Sequence, residues 1–240
     1  MIEYIAETGS TNSDLLERLK AGERIAEGQW LVADRQTAGR GRQGRRWNCG
    51  LGNFMGSTAV HRLPGDPAAP TLALLAGLAL HEATVPLVPD ASRLHLKWPN
   101  DLLYMKAKLA GILLEGQGDA VVVGIGVNLA EAPDLPDRET LSFAAFGPAP
   151  DRNLFAGSLA GMFARELERW RTYGLKPVLR RWQAAGLPKG TPLKVHDGTA
   201  VAVDGKVAGL AEDGSLLLLL PNGATRPIHA GDVMIADQGT

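Results

Sequence analysis

The chain has 240 residues, of which 45% are hydrophobic and 21% are charged, and its formal net charge is -1. This composition is that of a globular protein with room for one large domain and a smaller one, and the near-neutral charge excludes a chain whose whole surface binds polyanions. A single cysteine excludes an intrachain disulfide and fits a reducing compartment. Because the first residues show no basic segment followed by an apolar one, we predict a cytoplasmic protein.

A helix is predicted near the N-terminus. Thr11 with Asp14 three residues later resembles a capping box, and Gly22 marks the end of the helix. The polar run GSTNSD, residues 9–14, consists either of cap residues or of neutral donors and acceptors that hold an uncharged polar group.

Two predicted strands, 29–34 and 53–60, enclose the segment TAGRGRQGRRW, residues 37–47. Its glycines spell G-x-G-x-x-G, but arginines fill the spaces and no helix is predicted to start there, which argues against a dinucleotide fingerprint. An RGG-type nucleic-acid segment and a solvated basic loop are alternatives. We favour an anion-binding loop that becomes ordered over its ligand, since glycines expose backbone N–H groups and arginines offer forked donors.

The middle of the chain mixes helices and strands. The apolar run 71–88 is predicted to be a buried helix rather than a membrane span, because it contains His81, Glu82 and Pro86. Further strands are predicted at 94–98, 109–116 and 120–129, and further helices near 152–173 and 176–185. This order predicts an α+β fold with a mixed sheet.

The composition changes near residue 187, after which turn-forming dipeptides recur every seven to nine residues. These dipeptides are Asp197-Gly198, Asp204-Gly205, Asp213-Gly214 and Asn222-Gly223. Such spacing is typical of hairpins in a small β-barrel. We therefore predict two domains, residues 1–186 and 187–240.

A second polar segment, KWPNDLLYMKAKLAGILLEG, covers residues 97–116. Lys97 is predicted to end one strand, Asn100-Asp101 to form a turn, and Lys108 to begin the next strand. Two lysines at the ends of adjacent strands either point into one cavity or lie on the surface of a hairpin. Asp101 is interpreted either as a turn former or as a metal-linked carboxylate.

These segments, together with GIGVNL at 124–129 and in this order, resemble the catalytic domain of bacterial biotin protein ligases. The terminal segment resembles the SH3-like C-terminal domain of that family. The resemblance implies a class II synthetase-like catalytic domain, with a mixed β-sheet flanked by helices, followed by a small SH3-like β-barrel.

The family activates biotin with ATP and Mg²⁺ to give biotinyl-5′-AMP, and then transfers biotin to a lysine of a carrier protein. The implied partner is the biotin carboxyl carrier protein of acetyl-CoA carboxylase or of a related carboxylase, and a homodimer is also compatible with the resemblance. Only nine residues precede Ser10, so we expect no DNA-binding domain, and we expect no membrane partner. Two alternatives remain: a lipoate-protein ligase-like acyl-adenylate ligase, and a binding module for biotin or nucleotide without turnover.

The resemblance also implies roles for individual residues. The catalytic residues would be Lys108, Arg42 and Lys97. The biotin-binding residues would be Ser10, Thr11, Asn12, Gln36, Arg40, Gly41, Arg42, Lys108 and Gly111. The ATP-binding residues would be Arg45, Trp47, Lys97, Asn100 and Asn128. Trp47 either stacks on adenine or anchors the strand after the loop. The histidines show no zinc spacing, and the metal ligands are left unassigned.

Overall fold

In the computed structural model, which describes residues 1–47, 50–196 and 202–236, the first large feature is a seven-stranded mixed sheet. Its spatial order is β1-β2-β3-β7-β6-β5-β4, in which β1 and β2 are parallel and the other neighbours are antiparallel. The strands are β1 (Ile2–Thr8), β2 (Trp30–Gln36), β3 (Phe54–His61), β4 (Leu94–Lys97), β5 (Asp101–Tyr104), β6 (Ala107–Gln117) and β7 (Ala120–Val127). The predicted α+β class is confirmed.

Helices cover both faces of this sheet. They are α1 (Thr11–Lys20), α2 (Leu72–Thr84), α3 (Arg152–Tyr173) and α4 (Leu175–Ala185). Successive strand residues point to opposite faces, so Val122 packs in the cluster under α1 while Val123 belongs to the larger core with α2, α3 and α4. The edge-to-face contact of Trp30 with Phe163, with ring centres 5.5 Å apart, joins α3 to this core.

Helix α2 is the apolar element that resembles a membrane span by composition. The stretch Ala69–Leu87 is long and apolar enough to cross a membrane, but 67% of its most apolar window is buried inside the protein. Helix α2 packs against α3, α4 and the sheet. An apolar helix that is mostly buried is a core helix, as predicted.

A second, five-stranded antiparallel sheet forms the C-terminal part of the fold, in the order β11-β10-β9-β8-β12. Its strands are β8 (Pro192–His196), β9 (Val203–Leu210), β10 (Leu216–Leu219), β11 (Thr225–Ile228) and β12 (Asp232–Ile235). The predicted SH3-like character fits this sheet. The predicted domain boundary falls in the connection between α4 and β8, and it remains a prediction.

Two of the predicted turns in this region are confirmed and one is wrong. Asp213-Gly214 joins β9 to β10 and Asn222-Gly223 joins β10 to β11, with both glycines at positive φ. Asp204-Gly205 instead lies within β9, where it pairs with β8. Pairing with a neighbouring strand overrides the local turn preference of that dipeptide. The Asp197-Gly198 dipeptide lies outside the described residues.

Strands β1 and β5 were not predicted. Strand β1 is a half-exposed edge strand that carries Glu3 and Glu7, and β5 has only four residues, immediately after the turn-like Pro99-Asn100. Both strands are stabilised by pairing with neighbouring strands rather than by a strong β pattern in their own sequence. The first helix is also capped one residue earlier than predicted, because Ser10 is the N-cap and accepts a hydrogen bond from the backbone of Ser13.

Candidate active site

One cavity of about 420 Å³ is lined by every residue that the sequence predicted for ligand binding or catalysis. These residues are Ser10, Thr11, Asn12, Gln36, Arg40, Gly41, Arg42, Arg45, Trp47, Lys97, Asn100, Lys108, Gly111 and Asn128. The fold thus gathers residues from α1, the Gly/Arg loop and three strands at one place. Their individual roles remain predictions.

One end of the cavity is neutral and polar, and it lies at the N-terminus of α1. The backbone N–H of Thr11 donates to Gln36 Oε1 at 2.7 Å, and Thr11 Oγ1 lies 2.7 Å from Ser57 Oγ. Ser57 Oγ in turn donates to Asn12 Oδ1 at 2.6 Å. These buried groups form a fixed network that can match the donors and acceptors of an uncharged head group. The polar Ser57 within the apolar strand NFMGSTAV was a signal that the sequence interpretation missed.

Glu115 joins this polar end to the Gly/Arg loop. Its carboxylate accepts from Asn12 Nδ2 at 2.8 Å and from Arg40 Nη2 at 3.1 Å. Arg40 also donates to Ser13 Oγ at 2.9 Å. Helix α1 and the loop are therefore linked through one carboxylate on β6, which the sequence interpretation did not identify.

The other end of the cavity is organised by Asp101. Lys97 Nζ lies 2.8 Å from one carboxylate oxygen of Asp101, and Lys108 Nζ lies 2.5 Å from the other. Burial alone would raise the pKa of Asp101, but the two ammonium groups outweigh it and hold that pKa well below its ordinary range. Asp101 is therefore a strand residue that bridges two lysines, which corrects the prediction of a turn at this position.

The lysines lie on strands that are not neighbours, contrary to the prediction. Lys97 ends β4 and Lys108 lies in β6, with β5 between them. Asp101 begins β5, and its Cα is in register with Lys97 on one side and Gly111 on the other. The unpredicted strand is thus the element that places a carboxylate between the two cations.

The Gly/Arg loop folds back on itself above the cavity. Arg40 and Arg46 form an isolated antiparallel bridge, and Gly41 N–H donates to Arg45 O at 2.7 Å. Between them, Arg42–Gly44 form one 3₁₀ turn. No α-helix starts in the motif, so this loop lacks the geometry of a dinucleotide fingerprint.

The loop also contacts the second sheet. Arg42 donates to Asn100 Oδ1 at 3.2 Å and to the carbonyl of Gly231 at 2.9 Å. Arg45 forms an ion pair with Asp232. The next residue, Val233, accepts from Lys97 Nζ at 2.6 Å. Three consecutive residues, Gly231 and the first two of β12, therefore contact three of the candidate cations.

Trp47 packs on the floor of the cavity. A Cβ atom added at Gly126 would overlap its indole ring, and one added at Gly111 would lie 3.3 Å from it. Lys108 Nζ lies 5.5 Å from a ring centre of Trp47, within cation–π range. This packing is the arrangement that the anchor interpretation predicts, and stacking on adenine remains a prediction.

Two buried polar atoms of the cavity residues lack a hydrogen-bond partner within the described parts of the chain. They are Trp47 Nε1 and Asn128 Oδ1. Buried polar groups are almost always paired, and an unpaired one costs about 1–3 kcal/mol. A polar ligand in this cavity offers such partners.

No protein cage for a metal ion is found among residues 1–47, 50–196 and 202–236, where no three His, Cys, Asp or Glu side chains cluster suitably. Asp101 is already neutralised by two lysines. Mg²⁺ is usually held by one or two carboxylates together with substrate phosphates.

The cavity places a neutral polar pocket, two ammonium groups paired with one carboxylate and a cationic loop around one space, which suits a ligase whose substrate joins an uncharged head group to an anionic part. The model of the biotin/lipoate A/B protein ligase family matches residues 5–129, and that of the biotin protein ligase C-terminal domain matches residues 194–235. The chain belongs to the biotin/lipoate A/B protein ligase family.

The chain is similar to curated relatives over most of its length. A biotin–[acetyl-CoA-carboxylase] ligase from Paracoccus denitrificans is 39% identical, covering 91% of this chain and 94% of the relative. A ligase of the same name from Mycobacterium tuberculosis is 37% identical, covering 97% and 88%. The biotin protein ligase from Aquifex aeolicus, solved in complex with biotin and ATP, superposes with a TM-score of 0.84 at 26% identity, covering 98% and 99%.

Proposed function

We propose that this protein activates biotin with ATP to form biotinyl-5′-AMP and then transfers biotin to a lysine of a carrier protein. In the first step a carboxylate oxygen of biotin attacks the α-phosphorus of ATP and pyrophosphate leaves. In the second step the carrier amine attacks the acyl carbon of the anhydride and AMP leaves. The names and ligands of the relatives support this proposal.

The observation that carries the proposal is the meeting of a neutral pocket and a lysine pair in one cavity. The Thr11–Gln36–Ser57–Asn12 network would hold the ureido ring, whose N–H and C=O groups need partners when buried. Lys108 would contact the carboxylate and the forming acyl phosphate. Lys97 and Asn100 would contact the nucleotide, and Arg40, Gly41 and Arg42 would cover the adenylate.

These groups act by position and charge. Negative charge develops on the phosphate oxygens in the transition state, and fixed cations in a water-excluded site stabilise it. Mg²⁺ bound to the phosphates would supply further neutralisation of the leaving pyrophosphate. The loop would exclude water from the anhydride until the carrier amine arrives.

The carrier is proposed to be the biotin carboxyl carrier protein of acetyl-CoA carboxylase, in line with the names of the relatives. A cytoplasmic location, a homodimer and the absence of DNA and membrane partners remain predictions from the sequence. The lipoate ligase alternative is supported only at the level of the shared family model. The match to the biotin protein ligase C-terminal domain favours biotin.

The test is incubation of the protein with ATP, Mg²⁺, labelled biotin and a carrier domain, followed by measurement of label on the carrier. A carrier whose acceptor lysine is replaced by arginine is the matched control. We expect labelling of the parent carrier alone, with no competition from excess lipoate. Labelling that lipoate suppresses, or no labelling of the parent carrier, would reject the proposal.

A further inference from the structure

Arg138 lies on the wall of the candidate cavity, although nothing in the sequence interpretation gave it a role. It belongs to the connection between β7 and α3, from which Pro133, Leu135, Asp137 and Thr140 also line the cavity. The side chain of Arg138 is 21% exposed, so most of it is packed against the protein. A partly buried guanidinium at a ligand cavity calls for an anionic partner.

The backbone around Arg138 is fixed relative to Lys108. Lys108 N–H donates to the carbonyl of Glu139 at 2.9 Å, and Leu141 N–H donates to the carbonyl of Lys108 at 3.0 Å. Asn128 Nδ2 holds the carbonyl of Leu141 at 3.2 Å. Residues 139–141 of the connection therefore pair with β6 through a short parallel bridge, and Arg138 immediately precedes these residues.

Two carboxylates that act on Arg138 belong to the end of the cavity that carries Lys97, Lys108 and Arg45. Arg138 interacts electrostatically with Asp101 and Asp232, the same carboxylates that pair with the lysines and with Arg45. The neutral end of the cavity, by contrast, is built from hydroxyl and amide groups. A polyanionic ligand part such as a triphosphate is therefore favoured at the end where Arg138 lies.

The direct partner of Arg138 is a carboxylate that can be released at small cost. Arg138 Nη2 lies 2.5 Å from Asp137 Oδ2, and the Asp137 side chain is 52% exposed. A half-exposed carboxylate regains hydration when it loses its partner, and such surface pairs contribute little stability. A phosphate group offers the same guanidinium more charge and the same forked geometry.

We propose that Arg138 is a phosphate-binding residue for ATP and that it exchanges Asp137 for a phosphate oxygen when the nucleotide binds. This inference rests on the proposed function, since it assigns a residue to the nucleotide of the same reaction. Asp137 then competes with ATP for the guanidinium. The two neighbouring residues consequently affect ATP affinity in opposite directions.

The test uses R138Q and D137N, with binding of α,β-methylene-ATP measured by calorimetry in the presence of Mg²⁺. We expect R138Q to weaken binding about tenfold, the scale of one charge-assisted hydrogen bond. D137N should tighten binding by about two- to threefold, because the competing carboxylate is gone. Biotin affinity should stay unchanged in both variants. R62Q, which removes an exposed pair with Asp119, is the matched control.

A merely structural ion pair predicts another result, because both variants then lose the same contact. Equal shifts in the same direction, or unchanged binding in R138Q, would overturn the inference. Adenylate formation by the parent protein is assayed separately. A parent that binds the analogue but forms no adenylate contradicts the proposed function, whereas a parent that forms adenylate while R138Q binds like the parent contradicts the role of Arg138 alone.

Discussion

At the scale of single residues, Asp101 determines the geometry of the cationic end of the cavity. Its buried carboxylate holds Lys97 and Lys108 at 2.8 and 2.5 Å. Two ammonium groups so close together would repel each other without an anion between them. Asp101 therefore holds both lysine side chains at the same place, which is what a site for phosphate chemistry requires.

Asp101→Asn is predicted to destabilise the fold at neutral pH by about 3–5 kcal/mol, because two partly buried cations lose their counter-ion. The folded-state pKa of Asp101 is lowered, so its contribution is present above the ordinary carboxyl pKa of about 4 and is lost as the pH falls below that value. Urea unfolding should show the gap between parent and variant narrowing below about pH 4. Asp119→Asn, at an exposed position, is the control. An Asp101→Asn variant that is as stable as the parent at pH 7 would contradict this account.

Lys108→Ala is predicted to lower adenylate formation by about 10²–10³-fold, the usual scale for one transition-state donor. Pyrophosphate release measures the effect. Lys108→Arg keeps the positive charge beside Asp101 and should retain more activity. Lys20→Ala, at the exposed end of α1, is the control. A rate of pyrophosphate release equal to the parent rate would remove Lys108 from the catalytic residues.

At the scale of elements, β7 leaves room for the site because two glycines follow Val122 on the face that α1 covers. Gly124 and Gly126 are two residues apart and therefore share a face. A Cβ at Gly124 would overlap the side chain of Asn12, and one at Gly126 would overlap the Trp47 ring. The glycines of GIGVNL thus allow the helix and the loop to approach the strand closely.

Gly126→Ala is predicted to displace Trp47 from the sheet and to destabilise the fold by about 1–3 kcal/mol through overpacking. Indole emission should shift to longer wavelength as the ring becomes hydrated, and adenylate formation should fall. Gly116→Ala on neighbouring β6 is the matched control, because a Cβ there meets nothing within 4 Å. Unchanged emission in Gly126→Ala would show that the ring tolerates the methyl group.

At the scale of the whole molecule, the second sheet contributes to the cavity instead of only covering the first. Gly231 and the first two residues of β12 contact Arg42, Arg45 and Lys97. The Trp98 indole N–H also donates to the carbonyl of Gly214 at 3.0 Å. The position of the Gly/Arg loop therefore depends on both sheets.

The pair Arg45–Asp232 is predicted to couple the two sheets. In a double-mutant cycle with Arg45→Gln and Asp232→Asn, we expect a coupling of about 0.5–1 kcal/mol in the free energy of unfolding, since the pair is partly exposed. We also expect each single variant to raise the KM for ATP. The exposed pair Arg35–Glu7 is the control. If the effects of the two single substitutions on the free energy of unfolding add, and if neither variant changes the KM for ATP, the contact does not position the loop.

Local patterns explain which parts of the fold were predictable. Helix α3 was predicted at its observed bounds because its apolar spacing persists over 22 residues. Strand β5 was missed because four residues after a turn-like dipeptide carry too little pattern. Glu115 and Arg138 were missed for another reason: each lies in a segment whose composition does not reveal that it faces the cavity.

The sequence by itself determined the chemistry that this protein has available: a Gly/Arg loop, a lysine-containing strand pair, a polar helix start and a β-rich C-terminal segment. Only the tertiary structure decided how these groups combine, by inserting β5 and its carboxylate between the lysines and by bringing β12 to the loop. The physical reason is that spacing along a chain reports local periodicity, whereas strand order and domain contacts arise from burial and pairing between distant residues.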